Sequence, residues 1–127
     1  CKKYYRFLMK LSNKIYYFGP LLIMGVIFFL SHQPRVMDGL PEITGLDKIL
    51  HCIAYCSLSI SWIIALLKNG VSAPNSKTAV LSMLYALSDE YHQTFIPTRS
   101  FEVLDLVADA FGIFLAIILS RYIRRLM

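Results

Sequence analysis

Charged side chains are scarce in this chain. Lys, Arg, Asp and Glu make up 17% of its 127 residues, where soluble domains carry about 25%. A soluble core of this length needs a charged rim, so the shortage excludes an ordinary water-soluble domain. Acids are scarcer than bases, eight against thirteen. The bases sit at the ends and turns of apolar runs, form no stripe and have no aromatic stacking module beside them, which excludes nucleic acid as a partner. Cysteine is nearly absent. Cys52 and Cys56 are four apart in an apolar run, so they are helix neighbours rather than a CxxC pair, and they read as small buried hydrophobes. Cys1 stands where a Met is expected, and the lysines behind it favour a truncated start over a lipidated one. There is no Gly-x-Ser-x-Gly elbow, no phosphate-binding loop and no His-Glu-x-x-His, which excludes the enzyme classes those motifs mark. No repeat or low-complexity tract divides residues 1–127, which read as one domain.

Apolar length is what the chain does have. Four segments, at about 15–30, 49–67, 78–96 and 103–120, each approach the ~17–25 residues that cross a hydrocarbon core as a helix. Helices are required because lipid cannot satisfy an open backbone. The first run is too long for a secretory signal and lacks a small-residue cleavage site. Lys2, Lys3, Arg6, Lys10 and Lys14 precede the first segment, Lys68 and Lys77 flank the middle turn, and Arg121, Arg124 and Arg125 follow the last. Putting these ten inside leaves only Arg35, Lys48 and Arg99 outside. The expectation is an all-α membrane protein, a four-transmembrane-helix bundle with N-in/C-in topology. Thr44-x-x-Asp47 reads as a capping box opening the second helix, and the short turn at 97–100 predicts an antiparallel hairpin of the last two helices.

All the acids and all three histidines then fall on the outer side. Lys48, His51 and Tyr55 are spaced by three and four, so they share a helix face. Tyr85, Asp89, His92 and Gln93 share another, with Glu90 about 100° round from Asp89. Asp105, Asp109, Gly112 and Ala116 form a stripe, acidic at its outer end and small deeper in. Small residues let membrane helices approach closely, which turns that stripe inward. An ionisable group at such depth costs at least ~2.5–3.5 kcal/mol unless paired or hydrated. Acids from several helices at one depth therefore predict a shared polar pocket. The plainer alternative is a buried ion-pair network in which Lys48 and Arg99 neutralise Asp47, Glu90 or Asp105.

At Ser31-His32-Gln33-Pro34, Lys48-x-x-His51-x-x-x-Tyr55, Tyr85-x-x-x-Asp89-Glu90-x-His92-Gln93-x-Phe95-x-Pro97-x-Arg99 and Asp105-x-x-x-Asp109-x-x-Gly112 the chain resembles the VanZ-like family. Family members often carry Asn where this chain has Asp109. The resemblance implies a bacterial, multi-pass protein of the cytoplasmic (inner) membrane. It also implies an association with low-level resistance to teicoplanin and related glycopeptides.

Three functional readings follow. In the first, the chain is a hydrolase or transferase acting on a lipid-linked substrate of the cell envelope, with the site facing outside. Glu90 or Asp89 is its general acid or base, and His51, His92 and Asp105 complete the catalytic candidates. Lys48 and Arg99 hold an anionic head group, and Gln93, Tyr55, Tyr85 and Asp109 complete the binding set. No cofactor is expected, although His51, His92, Asp89, Glu90, Asp105 and Asp109 include divalent-metal ligand types without a diagnostic spacing. In the second, the same pocket binds a lipid or glycopeptide as an accessory protein without turning it over, and Glu90→Gln separates the two. The third, a proton-coupled carrier, ranks last because the inner half offers mainly Ser57, Ser59, Ser61 and Ser82.

Overall fold

The computed structural model describes residues 2–34 and 45–127, and among these every element is helical. Cys1, Arg35, Asp38, Glu42 and Thr44 lie outside the described residues.

The chain opens with α1 (Lys2–Asn13), a short 3-10 turn (Lys14–Tyr17) and α2 (Phe18–Ser31). α1 is amphipathic and buries no residue. Pro20 is buried near the start of α2. A proline ring crowds the carbonyl four residues back, here Tyr16, and the backbone passes that carbonyl in the 3-10 turn. Gly19 sits where a Cβ would lie 2.6 Å from Ser61 Oγ, so α2 and α3 touch there.

α3 (Leu46–Lys68) begins on Gly45, which takes the left-handed φ of 98°. No side chain caps it. The expected capping box rests on Thr44, which lies outside the described residues. Asp47 in the first turn and Lys68 in the last both suit the helix dipole.

α4 (Pro74–Gln93) carries Pro74 in its first turn, where the missing N–H costs nothing. It ends at Gln93 rather than at Ile96. The N–H groups of Thr94, Phe95 and Ile96 turn to carbonyls three residues back, and Pro97 follows. α5 (Val103–Leu126) runs past Ser120 into the basic tail, placing Arg124 and Arg125 in its last turn.

α3 is the hub of the packing, and its most extensive partner is α5. The pairs Lys48–Asp105 and His51–Asp109 advance together along both helices, so α3 and α5 run parallel. Gly112 makes this possible: a Cβ there would collide with the backbone carbonyl of Cys52 and lie 3.0 Å from Cys56 N. α4 runs antiparallel to both. Tyr55 and Ser59 of α3 meet Asp89 and Ser82 of α4. Asn75 and Glu90 meet Ser120 and the Glu102 backbone, which gives the expected hairpin.

The core of Ile27, Tyr55, Leu58, Ala86 and Ile113 is small, while many large apolar residues point outward, such as Phe29 at 64% and Leu104 at 67% exposure. Buried polar groups inside an apolar coat suit lipid rather than water. Three stretches, Lys2–Ser31, Leu46–Lys68 and Val103–Leu126, are long and apolar enough to cross a membrane. α4 is not among them, since Lys77, Asp89 and Glu90 lie within its twenty residues.

Candidate functional site

The C-terminal ends of α2 and α4 and the N-terminal ends of α3 and α5 converge at one end of the bundle. α3 supplies a graded face there. Lys48, His51 and Tyr55 follow one another by a turn, and their exposure falls from 31% to 11% to 1%.

Lys48 is held by carboxylates. Its Nζ donates to Glu102 Oε2 at 2.7 Å and to the Asp105 carboxylate, and lies 3.5 Å from Asp47. That is the neutralising role of the ion-pair reading, with Glu102 added. His51 sits one turn deeper among more acids. Its Nδ1 is 2.8 Å from Asp109 Oδ1 and 4.0 Å from Glu90 Oε1. Its Nε2 is 3.6 Å from Asp105 Oδ2 and 4.0 Å from Asp47 Oδ1. With Asp109 ionised, Nδ1 carries the proton in that contact with Asp109, because a carboxylate only accepts.

Glu90 and Asp109 are both wholly buried. Glu90 Oε2 accepts the Glu102 backbone N–H at 3.2 Å, but among the described residues Glu90 Oε1 and Asp109 Oδ2 have no hydrogen-bond partner. Each such buried oxygen costs about 1–3 kcal/mol. Six carboxylates, from Asp47, Asp89, Glu90, Glu102, Asp105 and Asp109, gather around Lys48, His51 and Arg99. Among the described residues, acids outnumber bases there even with His51 protonated.

Beside the cluster is a cavity of about 260 Å³. Its lining mixes the polar Ser31, Asp47, His51, Asp89, Gln93 and Arg99 with the apolar Ile27, Leu30, Leu50 and Ala54. Tyr55 also lines it, donating its hydroxyl to Asp89 Oδ2 at 3.2 Å. Gln93 donates to Ser31 Oγ at 3.5 Å. Arg99 reaches the cavity from the turn after α4, where Thr98 takes a φ of 67°, unusual for a β-branched residue. Its guanidinium donates to the carbonyls of Gln33 at 2.7 Å and Leu30 at 3.4 Å, satisfying the end of α2.

The structure brings His51, Glu90, Asp105, Asp109 and Lys48 into one cluster and sets Asp89, Tyr55, Gln93 and Arg99 around the adjoining cavity. Two sequence candidates go elsewhere. His92 pairs with His32, Nε2 to Nδ1 at 3.2 Å, with stacked rings 5.4 Å apart beside Phe28. The Tyr85 hydroxyl donates to the Met24 carbonyl at 2.6 Å and so ties α4 to α2. Glu102 and Ser31 were missing from the candidate set. Glu102 was legible as the acid three residues before Asp105, one turn up the same helix end. Ser31 carried no signal beyond its place in the first family element.

Fold and site together define an all-helical membrane protein with a buried cluster of acids around a histidine and a lysine. Over residues 11–124 the chain matches the family described as VanZ/LLP1. It belongs to the VanZ-like family. No curated protein and no solved structure matches it.

Proposed function

We propose that the protein crosses the bacterial cytoplasmic membrane four times with both termini inside. The site acts from the outer face on a lipid-linked envelope substrate, by hydrolysis or group transfer. The crossing by α4 is supported by its twenty residues, about 30 Å of helix, and by the burial of Asp89 and Glu90 against protein. The orientation is supported by the ten basic residues at the opposite end.

The observation that carries the chemistry is the mixed lining of the cavity. Its apolar residues suit the first carbons of a lipid tail, and its polar residues suit a head group. At about 260 Å³ it falls just below the ~300–1,000 Å³ of drug-sized ligand sites, so it takes a head group and not a whole glycopeptide. Teicoplanin tolerance, on this reading, follows from altered envelope lipid rather than from drug held in the site.

His51 and Asp89 line the cavity and are the acid–base groups that meet the substrate. Glu90, Asp105 and Asp109 stand behind His51, orient its ring and stabilise its charged form. Arg99 is the anion contact, because Lys48 is committed to Asp105 and Glu102.

The test is mass spectrometry of bacterial envelope lipids after incubation with the purified protein, beside Leu50→Trp, which fills the cavity from one of its apolar residues. Consumption of one lipid species by the wild type and not by Leu50→Trp supports the enzyme. A lipid that copurifies unchanged supports the second reading, a binding module, which the pairing of Arg99 with apolar lining residues also suits.

A further inference from the structure

We propose that His51, Glu90 and Asp109 form a binding site for one divalent transition-metal ion of the zinc kind, held between α3, α4 and α5. The inference deepens the preceding reading, and it rests on that reading only in taking this end of the bundle as the working site.

Geometry carries it first. Two ligand atoms on one ion with bonds of about 2.1 Å cannot be more than about 4.2 Å apart. His51 Nδ1 lies 2.8 Å from Asp109 Oδ1 and 4.0 Å from Glu90 Oε1, inside that limit, and the three donors lie within 4.8 Å of one another. Small movements of the carboxylates close the remainder.

The second observation is independent of the clustering. Glu90 Oε1 and Asp109 Oδ2 belong to wholly buried side chains and have no hydrogen-bond partner among the described residues. In the bundle interior such oxygens call for a proton or a cation. An ion between Nδ1 and the two carboxylates takes the place of the His51 proton, gives Glu90 Oε1 a partner and sets a cation beside the Asp109 carboxylate. It also reduces the excess of negative charge around His51.

Ligand type selects the ion. An imidazole with two carboxylates favours zinc-like transition metals, where magnesium and calcium prefer oxygen alone. Three protein ligands leave a fourth position free, the arrangement of reactive rather than structural zinc sites. His51 lines the cavity, and Glu90 and Asp109 stand behind it.

Two rival placements are weaker. Asp47, His51 and Asp105 form a second candidate trio on the Nε2 side of the ring, but both acids also face Lys48, whose charge repels a divalent ion. The His32–His92 pair offers two nitrogens 3.2 Å apart, yet His32 is exposed and neither histidine makes an ion pair with a carboxylate among the described residues.

The test uses the full chain in detergent, stripped with a chelator and then titrated with Zn²⁺ or Co²⁺. Bound metal is counted by elemental mass spectrometry after gel filtration. The expected result is one ion per chain, with a visible Co²⁺ absorption band. Glu90→Gln and Asp109→Asn, near-isosteric changes checked for helicity by circular dichroism, each weaken binding by at least about tenfold. His92→Ala leaves it unchanged. A folded wild type that retains no ion overturns the proposal, as does binding that survives Glu90→Gln and Asp109→Asn or vanishes with His92→Ala. The two readings separate cleanly. Lipid turnover by a chain that retains no ion on titration removes the metal and leaves the enzyme, whereas a bound ion without turnover supports the metal and removes the enzyme.

Discussion

His51 on α3 and Asp109 on α5 face each other at 2.8 Å across a parallel helix pair. One residue after His51 and three after Asp109, the Cys52 carbonyl and Gly112 bring the two backbones together. The close approach and the polar contact are one feature: without a glycine at 112 the imidazole and the carboxylate stand too far apart to meet.

Gly112→Ala therefore acts on the site without touching a polar group. The added methyl meets backbone, which cannot swing aside. Overpacking of this kind costs about 1–3 kcal/mol. Unfolding in mixed detergent should register that loss, and cysteine cross-linking between α3 and α5 should show the helices further apart. Wild-type stability in Gly112→Ala would mean that the two helices are not in such contact.

The His51–Asp109 pair should behave as one unit. Hydrogen bonds to charged groups contribute about 1.5–3 kcal/mol. A double-mutant cycle with His51→Ala and Asp109→Asn should give a coupling of about that size, with the double variant less destabilised than the two single losses predict together. Additive losses would show that the two side chains do not interact.

How much of this was legible in the sequence depends on how local each feature is. The helices follow from apolar length, and the shared face of Lys48, His51 and Tyr55 follows from spacing alone. Helix ends were less legible. α4 stops at Gln93 because the next three N–H groups tighten onto carbonyls three residues back, and α3 starts on a left-handed Gly45. α1 was read only as a basic flank, although Lys2, Lys3, Arg6 and Lys10 lie on one arc of a helix and Tyr4, Leu8 and Leu11 on the opposite arc. Partner choice was not legible. That Lys48 serves Asp105 and Glu102 depends on α3 and α5 running parallel, and that His92 turns to His32 depends on where α2 ends. Neither is a property of one segment.

The topology is tested by reporter fusions. With four crossings, reporters in the turn at 69–73 and after Met127 should report the cytoplasm, and one in the turn at 97–100 should report the outside. A reporter at 97–100 found on the same side as one at 69–73 would place α4 along the membrane surface rather than across it, and one found on the same side as the C-terminus would do the same for α5.

The most direct test of the account is lipid turnover by the purified protein reconstituted in vesicles of bacterial envelope lipid, measured beside His51→Ala, Asp89→Asn and Glu90→Gln. The account predicts that the wild type consumes one lipid species. His51→Ala and Asp89→Asn, folded by circular dichroism, should lose at least about a hundredfold in rate, in line with the 10²–10⁴-fold typical of acid–base catalysis. Glu90→Gln should retain part of the rate, because it acts through His51. Equal turnover by wild type and all three variants, or none by any folded form, would contradict it and leave the cluster as packing.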